Sequence, residues 1–265
     1  MTDRFDSLLE TLRTLTREET TRSGPDTQGQ RKADGSWVTR TDTAIQTRVR
    51  RWLEQQFPDI GFLGEEMSAS AQEAALQTSE RLWVLDPLDG TSNFRIGLPV
   101  YATTLALIEN GVVTFGLVYD PCRDEMFHAH LGGGAYCNGA CMMRNDRSGR
   151  RLSQAIAAVD FKRLPANLAC RLATHPPYAS QRSIGSIALD WCWVAAGRFD
   201  VYVHGKQKLW DHAAGRLILE EAGGAQTTLD GQEPPQIDLT PRSAVCATNQ
   251  ALLDEWRAAL AEAAD

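Results

Sequence analysis

The sequence of 265 residues contains no run of about 18 apolar residues, the length that crossing a membrane requires. It also has no excess of positive charge, because 34 acidic side chains outnumber 27 basic ones and give a formal charge of −7. A chain with this balance carries no general field that attracts nucleic acid or anionic lipid. We therefore expect neither nucleic acid nor a membrane among its partners.

Paired cysteines are missing as well. The six cysteines form no Cys-x-x-Cys pair, and the first residues, Met1-Thr2-Asp3-Arg4, contain no apolar signal segment. A reducing, cytoplasmic environment fits this pattern better than a secreted one. Internal repeats and low-complexity tracts are also absent, which excludes an array of repeats.

The first secondary-structure signals are two helices. Apolar residues recur at helical spacing from residue 3 to about 22, and again from Ala44 to Leu53, before Pro58. Between them, Gly24 to Gly35 is rich in glycine and polar residues and is predicted to be a loop. We therefore expect two helices before any strand.

Strand signals follow in the middle of the chain. The run from Leu82 to Leu85 predicts a buried strand, and three segments between 101 and 129 are separated by the turn dipeptides Asn110-Gly111 and Asp120-Pro121. From about residue 155 onwards strands and helices alternate. The pattern predicts a mixed α/β fold containing an antiparallel meander.

A carboxylate-rich motif, Asp86-Pro87-Leu88-Asp89-Gly90-Thr91, follows the first of these strands. Carboxylate and carbonyl oxygens are the hard ligands that Mg²⁺ prefers. Gly90 lets the backbone approach a ligand closely, and free amides at the start of a helix bind phosphate. The same residues also suit an ordinary β-turn, so the motif alone leaves both interpretations open.

Further carboxylates occur at Glu65-Glu66, directly after Gly64, and at Asp211 in Trp210-Asp211. Each has a purely structural interpretation. The glutamates suit a solvated loop, and Asp211 stands where the N-cap of a helix is expected. A capping aspartate can still bind a metal, because a carboxylate accepts through both oxygens.

Taken together, these elements resemble the inositol monophosphatase family. The motif at 86–94, the upstream Gly-Glu-Glu and the downstream Trp-Asp-x-Ala-Ala-Gly all match, as does Lys32-x-Asp34-x-x-Val38-Thr39-x-x-Asp42. The resemblance implies a layered αβαβα sandwich of the inositol monophosphatase and fructose-1,6-bisphosphatase type. It also implies one phosphatase domain, 1–265, with halves of about 1–150 and 151–265, in which the second half carries Asp211 and the substrate pocket.

The resemblance also assigns roles to individual residues. It implies that two or three Mg²⁺ ions are held by Glu65, Asp86, the carbonyl of Leu88, Asp89 and Asp211. It further implies that Asp42 and Thr91, together with Glu65, act in catalysis by orienting and deprotonating the attacking water. The expected partners are a small phosphorylated metabolite and a second copy of the chain.

Physical chemistry supports these roles independently. Two or three cations beside a phosphate neutralise its charge, lower the pKa of a bound water and stabilise an in-line displacement, so no protein nucleophile is needed. Zinc sites usually include His or Cys, which makes Mg²⁺ the better match for carboxylates and a carbonyl.

Substrate contacts are predicted further along the chain. The residues predicted to bind substrate are Asp89, Gly90, Thr91, Gly185, Ser186, His204 and Lys206. The resemblance places a hydroxyl-binding glutamate seven residues before Asp211, and His204 stands there instead. An imidazole with Lys206 nearby predicts a pocket that favours anions, unless His204 is a surface residue without a ligand.

This substitution leaves the substrate open. An inositol phosphate, another sugar phosphate, a 3'(2'),5'-bisphosphate nucleotide and histidinol phosphate are all candidates. Ser92-Asn93-Phe94 stands where nucleotidases of the superfamily tend to have Lys-Glu-Phe, which weighs against the nucleotide. The alternative of another class is a regulatory or binding protein that retains the phosphatase fold. The retention of every expected ligand favours catalysis.

Overall fold

The computed structural model describes residues 2–24, 29–32, 35–142, 149–231 and 237–262. Within these ranges the chain forms eight α-helices, two large sheets and one two-stranded hairpin. The helices are α1 (Thr2–Ser23), α2 (Arg40–Gln56), α3 (Ala69–Thr78), α4 (Thr91–Arg95), α5 (Ala166–Thr174), α6 (Ile187–Ala195), α7 (Leu209–Glu221) and α8 (Gln250–Glu262).

A short hairpin between α1 and α2 corrects the expectation that two helices precede any strand. Strands β1 (Gln30–Arg31) and β2 (Trp37–Val38) pair antiparallel, and the Lys32 amide donates to the Ser36 carbonyl at 2.8 Å. Each strand has only two residues, too few to show a period-two pattern. Asp34, which the sequence pattern singles out, lies outside the described residues.

The larger sheet has seven strands in sequential order. Its strands are β3 (Gly61–Gly64), β4 (Arg81–Asp89), β5 (Ala102–Glu109), β6 (Val112–Asp120), β7 (Glu125–His130), β8 (Gly134–Cys137) and β9 (Ala140–Cys141). Only β3 and β4 pair in parallel, and the other neighbours form the predicted antiparallel meander. Asn110 and Gly111 both have positive φ, the geometry of a tight hairpin turn.

The smaller sheet has five strands in the order β11-β10-β12-β14-β13. They are β10 (Ile156–Val159), β11 (Ser180–Arg182), β12 (Val201–Gln207), β13 (Ala225–Thr227) and β14 (Arg242–Ala247). Strands β10, β11 and β12 run parallel, so their carboxyl ends meet at one edge. This edge holds the predicted substrate residues of the second half.

The hydrophobic cores arrange these elements in five layers. One face of the larger sheet packs against α1 and α2, and its other face shares a core with α6, α7 and the smaller sheet. The far face of the smaller sheet packs against α5 and α8. This confirms the predicted α/β class and the layered αβαβα sandwich. Both faces of the larger sheet are covered, which explains why strands such as β4 and β5 are buried at nearly every position.

The division into two halves remains a prediction, as does the cytoplasmic location. The larger sheet ends at Cys141 and the smaller one begins at Ile156, on either side of the predicted boundary. None of the helices in the described ranges combines the length and apolar character needed to cross a bilayer.

Two glycines let α7 lie unusually close to its neighbours. A Cβ atom on Gly116 of β6 would lie 2.7 Å from the Ala214 carbonyl oxygen, and one on Gly215 would lie 2.6 Å from the Cβ of Trp191. Helix α7 is thereby held tightly between the larger sheet and α6. The position of its first turn, which carries Asp211, depends on this close packing.

The variant Gly116→Ala tests this packing. The added methyl group collides with backbone rather than with a flexible side chain, so we expect a loss of about 1–3 kcal/mol in the free energy of unfolding. Urea denaturation followed by circular dichroism measures the loss. A variant within 0.5 kcal/mol (about the scatter of a neutral surface substitution) would show that α7 has room to move.

Candidate active site

Parallel pairing of β3 with β4 brings Glu65 beside Asp86. Gly64 and Leu85 are register partners, and the Glu65 amide donates to the Leu85 carbonyl at 3.0 Å. Both acidic residues directly follow these partners in the chain. They therefore lie side by side where β3 ends.

The Gly-Glu-Glu segment is half-buried and fixed, which argues against a solvated loop. The Glu66 amide donates to Gln46 Oε1 at 2.9 Å, and Gln72 Nε2 donates to the Glu65 carbonyl at 3.1 Å. A side chain on Gly64 would overlap that Gln46 amide group. The backbone that carries Glu65 is consequently held from two helices.

A β-bulge in β4 corrects the predicted end of this strand, since pairing continues from Leu85 to Asp89. Asp86 is opposite Thr104 and Asp89 is opposite Ala102. Between these two pairs β4 advances by three residues while β5 advances by two. The extra residue in a bulge turns the side chains that flank it. A bulge is also one of the few places where a strand tolerates a proline, here Pro87.

Backbone groups within the bulge are held by nearby polar side chains. The Leu88 amide donates to Asp86 Oδ1 at 2.9 Å, and the Leu88 carbonyl accepts from the Thr91 hydroxyl at 2.9 Å. The Thr103 hydroxyl donates to the Pro87 carbonyl at 2.7 Å. The carbonyl predicted to bind metal thus points towards Thr91.

Gly90 ends the strand and begins the predicted short helix, α4. Its φ of 93° favours glycine, and a Cβ atom there would lie 2.9 Å from the Val100 carbonyl oxygen. Glycine at this position therefore allows the chain to turn directly from Asp89 into Thr91.

Asp42 and Thr91 lie in contact, as a catalytic pair requires. The Thr91 hydroxyl lies 3.1 Å from Asp42 Oδ1, while Asp42 Oδ2 accepts from the amide of Thr39 at 2.8 Å and from its hydroxyl. Asp42 occupies the third position of α2 in a capping box with Thr39. Burial raises the pKa of Asp42 to about 6, with a contribution from the charge of Glu65 and against the Thr39 hydrogen bonds.

Asp211 is not the N-cap of its helix, contrary to the sequence prediction. Helix α7 begins at Leu209, with Lys208 as N-cap, and Asp211 is the third helical residue. Its Oδ2 accepts from the Lys208 amide at 2.8 Å, so it still caps the helix from one turn further in. The Thr104 hydroxyl donates to the Trp210 carbonyl at 3.0 Å and attaches this turn to β5.

Asp89 connects the two sheets through the start of α6. Its Oδ2 accepts from the Ser186 hydroxyl at 2.5 Å and from the Ala188 amide at 2.8 Å. Asn93 donates to the Ile184 carbonyl at 2.7 Å and so holds the preceding turn. The structure therefore brings the predicted substrate residue Ser186 beside a predicted metal ligand.

Four carboxylates dominate the electrostatics of this region. Burial raises the pKa of Asp86 well above its usual value, and the charges of Glu65, Asp89 and Asp211 raise it further. Burial, followed by the charges of Glu65 and Asp89, does the same for Asp211. Burial raises the pKa of Asp89 to about 6, although its hydrogen bonds to α6 oppose the shift. Such a group needs a cation to remain ionised.

One protein cation already faces part of this group. Lys32 Nζ lies 2.9 Å from Glu65 Oε1 and 2.7 Å from Glu66 Oε1. Burial works against the charged lysine, but the two glutamates raise its pKa. Burial and the charge of Glu65 still raise the pKa of Glu66 to about 7. A single lysine therefore does not balance the negative charge of the site.

The donor set fits a hard divalent cation, because it consists of carboxylates and the Leu88 carbonyl without His or Cys. Within the described part of the chain, no three His, Cys, Asp or Glu side chains already form a ready-made metal cluster. Glu65 bonds to Lys32 through Oε1, and a carboxylate has a second oxygen that can also accept. The residues match Mg²⁺ in chemistry rather than as a finished coordination shell.

The remaining predicted substrate residues differ in their surroundings. Gly185 is exposed beside Asn93, with a φ of +75° that favours glycine, and Lys206 is also exposed. His204 is only 2% exposed, so it is not the surface residue considered above. Its Nε2 lies 3.3 Å from Asp160 Oδ2, a partner that the sequence pattern did not indicate.

Sequence reasoning missed several residues around the site. Lys32 occurs only as part of a motif, and no sequence pattern points to Asn93 as a bridge or to Asp160 and Asp190. Asp190, on α6, is 6% exposed, and its Oδ1 has no hydrogen-bond partner. An acidic residue in the otherwise apolar run from Ile187 to Ala195 was the one available signal.

A five-layer α/β sandwich with converging carboxylates at strand and helix ends is typical of a class of phosphatases, and comparison with known proteins identifies the family. The model of the inositol monophosphatase family matches residues 6–265. The chain belongs to the inositol monophosphatase family, and it is a phosphatase.

Individual relatives agree with this assignment. Inositol monophosphatase 1 of Solanum lycopersicum is 36% identical over 230 residues, covering 84% of this chain and 82% of the relative. The Nus factor SuhB of Xylella fastidiosa is 36% identical over 211 residues, covering 78% of this chain and 74% of the relative. An IMPase of Thermotoga maritima superposes with a TM-score of 0.85 at 28% identity, covering 99% and 98% of the two chains.

The variant Asp190→Asn tests the buried charge beside the site. Burial, followed by the charges of Asp89 and Asp160, raises the pKa of Asp190 well above 3.8 in the folded protein. As the pH rises above 3.8, Asp190 ionises in the unfolded chain while it stays protonated in the folded protein. Ionisation stabilises the unfolded state, so the stability of the wild type falls relative to that of the variant. We expect the Tm advantage of the variant to be small near pH 4 and to grow towards pH 8. Scanning calorimetry at several pH values measures this, and an advantage that does not change with pH would contradict the account.

Proposed function

We propose that this phosphatase hydrolyses a phosphate monoester of a small metabolite by a Mg²⁺-dependent reaction. The observation that carries the proposal is that burial raises the pKa of Asp86, Asp89 and Asp211, and that the charge of Glu65 raises all three further. A solved IMPase/NADP phosphatase complexed with Mg²⁺ and phosphate has a TM-score of 0.82 to this chain at 26% identity. The likeness supports the proposal.

The four carboxylates and the Leu88 carbonyl would hold two or three Mg²⁺ ions. Bound there, the metal would neutralise the phosphate charge and lower the pKa of a water molecule. The protein itself contributes the positions of the ligands. Glu65 directly follows β3, Asp86 and Asp89 lie on β4, and Asp211 lies on α7. The rigid backbone contacts of the bulge fix these ligands before any substrate arrives.

Asp42 and Thr91 form the proposed route for the proton of the attacking water. The Thr91 hydroxyl has one hydrogen and two acceptors within reach, Asp42 Oδ1 at 3.1 Å and the Leu88 carbonyl at 2.9 Å. In the proposed route this hydrogen is donated to Asp42, and the Thr91 oxygen accepts from water. With a pKa of about 6, Asp42 is ionised near neutral pH and accepts the proton at Oδ1. The Thr39 hydrogen bonds keep this carboxylate in one orientation. Gly90 and Thr91 are also proposed to donate backbone amides to the phosphate.

Replacement of Asp86 or Asp211 by Asn tests the proposed metal site. Each change keeps the shape of the side chain but removes a charged ligand, so we expect at least a 100-fold loss of phosphate release. The fold should persist, because a buried charge is removed. Phosphate release with and without Mg²⁺ is the measurement, and Asp254→Asn, on the exposed face of α8, is the matched control.

Full activity in either variant would contradict the assignment. So would activity of the wild-type protein that is unchanged by added Mg²⁺ or by chelators. Correct folding of each variant is checked by circular dichroism. A variant that retains its fold but loses activity supports the assigned role.

A regulatory role is the second candidate, because several relatives carry the name Nus factor SuhB. The complete set of proposed ligands in this chain favours catalysis. A regulatory protein would have no need for Asp42, Thr91 and the carboxylates together. The two roles are separable, since loss of activity in Asp86→Asn would leave a purely binding role intact.

We also propose that the chain forms a homodimer. Ile96 and Leu98, in the segment after α4, are 76% and 43% exposed and offer an apolar surface for a second copy. Sedimentation equilibrium should give twice the chain mass of 29.2 kDa, and Ile96→Asp should reduce it to the monomer. Leu131→Asp, at an exposed leucine elsewhere, is the control. A monomeric wild type would refute the proposal.

A further inference from the structure

Asp160 and His204 form a pair at the edge of the smaller sheet. Asp160 directly follows β10, and Val159 is the register partner of Val203 on β12, so the two side chains leave neighbouring strands together. His204 Nδ1 accepts from the Lys206 amide at 3.2 Å. The imidazole hydrogen is therefore on Nε2, which donates to Asp160 Oδ2 at 3.3 Å.

This pair lies beside the proposed phosphatase site. The carboxyl ends of β10, β11 and β12 share one edge, and the turn with Gly185 and Ser186 leaves β11 at that edge. Ser186 donates to Asp89.

Asp160 retains the capacity to bind a ligand. One oxygen accepts from the Lys162 amide at 3.0 Å and the other accepts from His204. A carboxylate has about four acceptor positions, so about two remain. The Asp160 side chain is 29% exposed, whereas that of His204 is 3% exposed. The histidine thus fixes the carboxylate, and the carboxylate faces the solvent.

These contacts change the expectation that His204 selects an anion. A fixed carboxylate accepts hydrogen bonds from hydroxyl groups and repels a second phosphate. We propose that Asp160, positioned by His204, binds hydroxyl groups of the alcohol part of a neutral polyol or sugar phosphate. This inference rests on the proposed phosphatase function and names the substrate class of that site.

Steady-state kinetics of Asp160→Asn tests the proposal. The substrates are myo-inositol 1-phosphate, which has hydroxyl groups beside the ester, and p-nitrophenyl phosphate, which has none. We expect the KM for the inositol ester to rise about tenfold with kcat within about threefold, since hydrogen bonds to a charged acceptor are stronger than those to a neutral one. The ratio of kcat/KM between the inositol ester and the nitrophenyl ester should fall by about the same factor.

Two His204 variants separate positioning from packing. His204→Gln keeps a donor near Nε2 and should preserve most of the selectivity, whereas His204→Leu removes the donor and should reproduce the Asp160→Asn defect. Asp59→Asn is the control for the loss of one carboxylate, because Asp59 is exposed and lies at the end of β3 opposite Glu65. Both selectivity and KM should be unchanged in this control.

The outcomes distinguish the inference from the function on which it rests. The inference is refuted by an unchanged ratio in Asp160→Asn, by an equal loss on both esters, or by a wild type that prefers 3'-phosphoadenosine 5'-phosphate to the inositol ester. A wild type with no Mg²⁺-dependent activity on any of these esters refutes the proposed function, and the inference with it.

Discussion

Repulsion among four carboxylates is the interaction on which the rest of the site depends. Glu65, Asp86, Asp89 and Asp211 converge from three parts of the chain, and burial together with the charge of Glu65 raises the pKa of each of the three aspartates. Folding would not gather such charges without a compensating cation or a proton. Lys32 balances only part of this charge, and Mg²⁺ is proposed to balance the remainder and to bring the phosphate with it.

The scaffold holds these charges through backbone contacts. The bulge in β4 turns Asp86 and Asp89, the close approach of α7 to Gly116 places Asp211, and Asp89 joins the two sheets by accepting from α6. Asp86, Asp89 and Asp211 are therefore restrained by the scaffold itself. Asp160 follows β10 of the smaller sheet, at the edge from which the turn with Ser186 reaches Asp89 of the larger sheet, so the proposed selectivity and the proposed chemistry come from different sheets.

Much of the fold followed from local patterns in the sequence. Helical spacing predicted α1 and α2, Asn110-Gly111 predicted a hairpin, and the combined motifs predicted the family and the five layers. Features set by tertiary contacts were not predictable in this way. The bulge depends on pairing with β5, and Asp211 shifted from cap to third position because the helix extends back to Leu209. The bond from His204 to Asp160 joins residues 44 positions apart, beyond any local signal.

The central claim is that the converging carboxylates form a Mg²⁺ site, and the dependence of Tm on Mg²⁺ concentration tests it most directly. A ligand that binds only the folded state raises Tm as its concentration exceeds the dissociation constant. The account predicts that Tm rises with the logarithm of Mg²⁺ concentration and does not rise with NaCl at equal ionic strength. An identical Tm in both salts over the whole titration would contradict it.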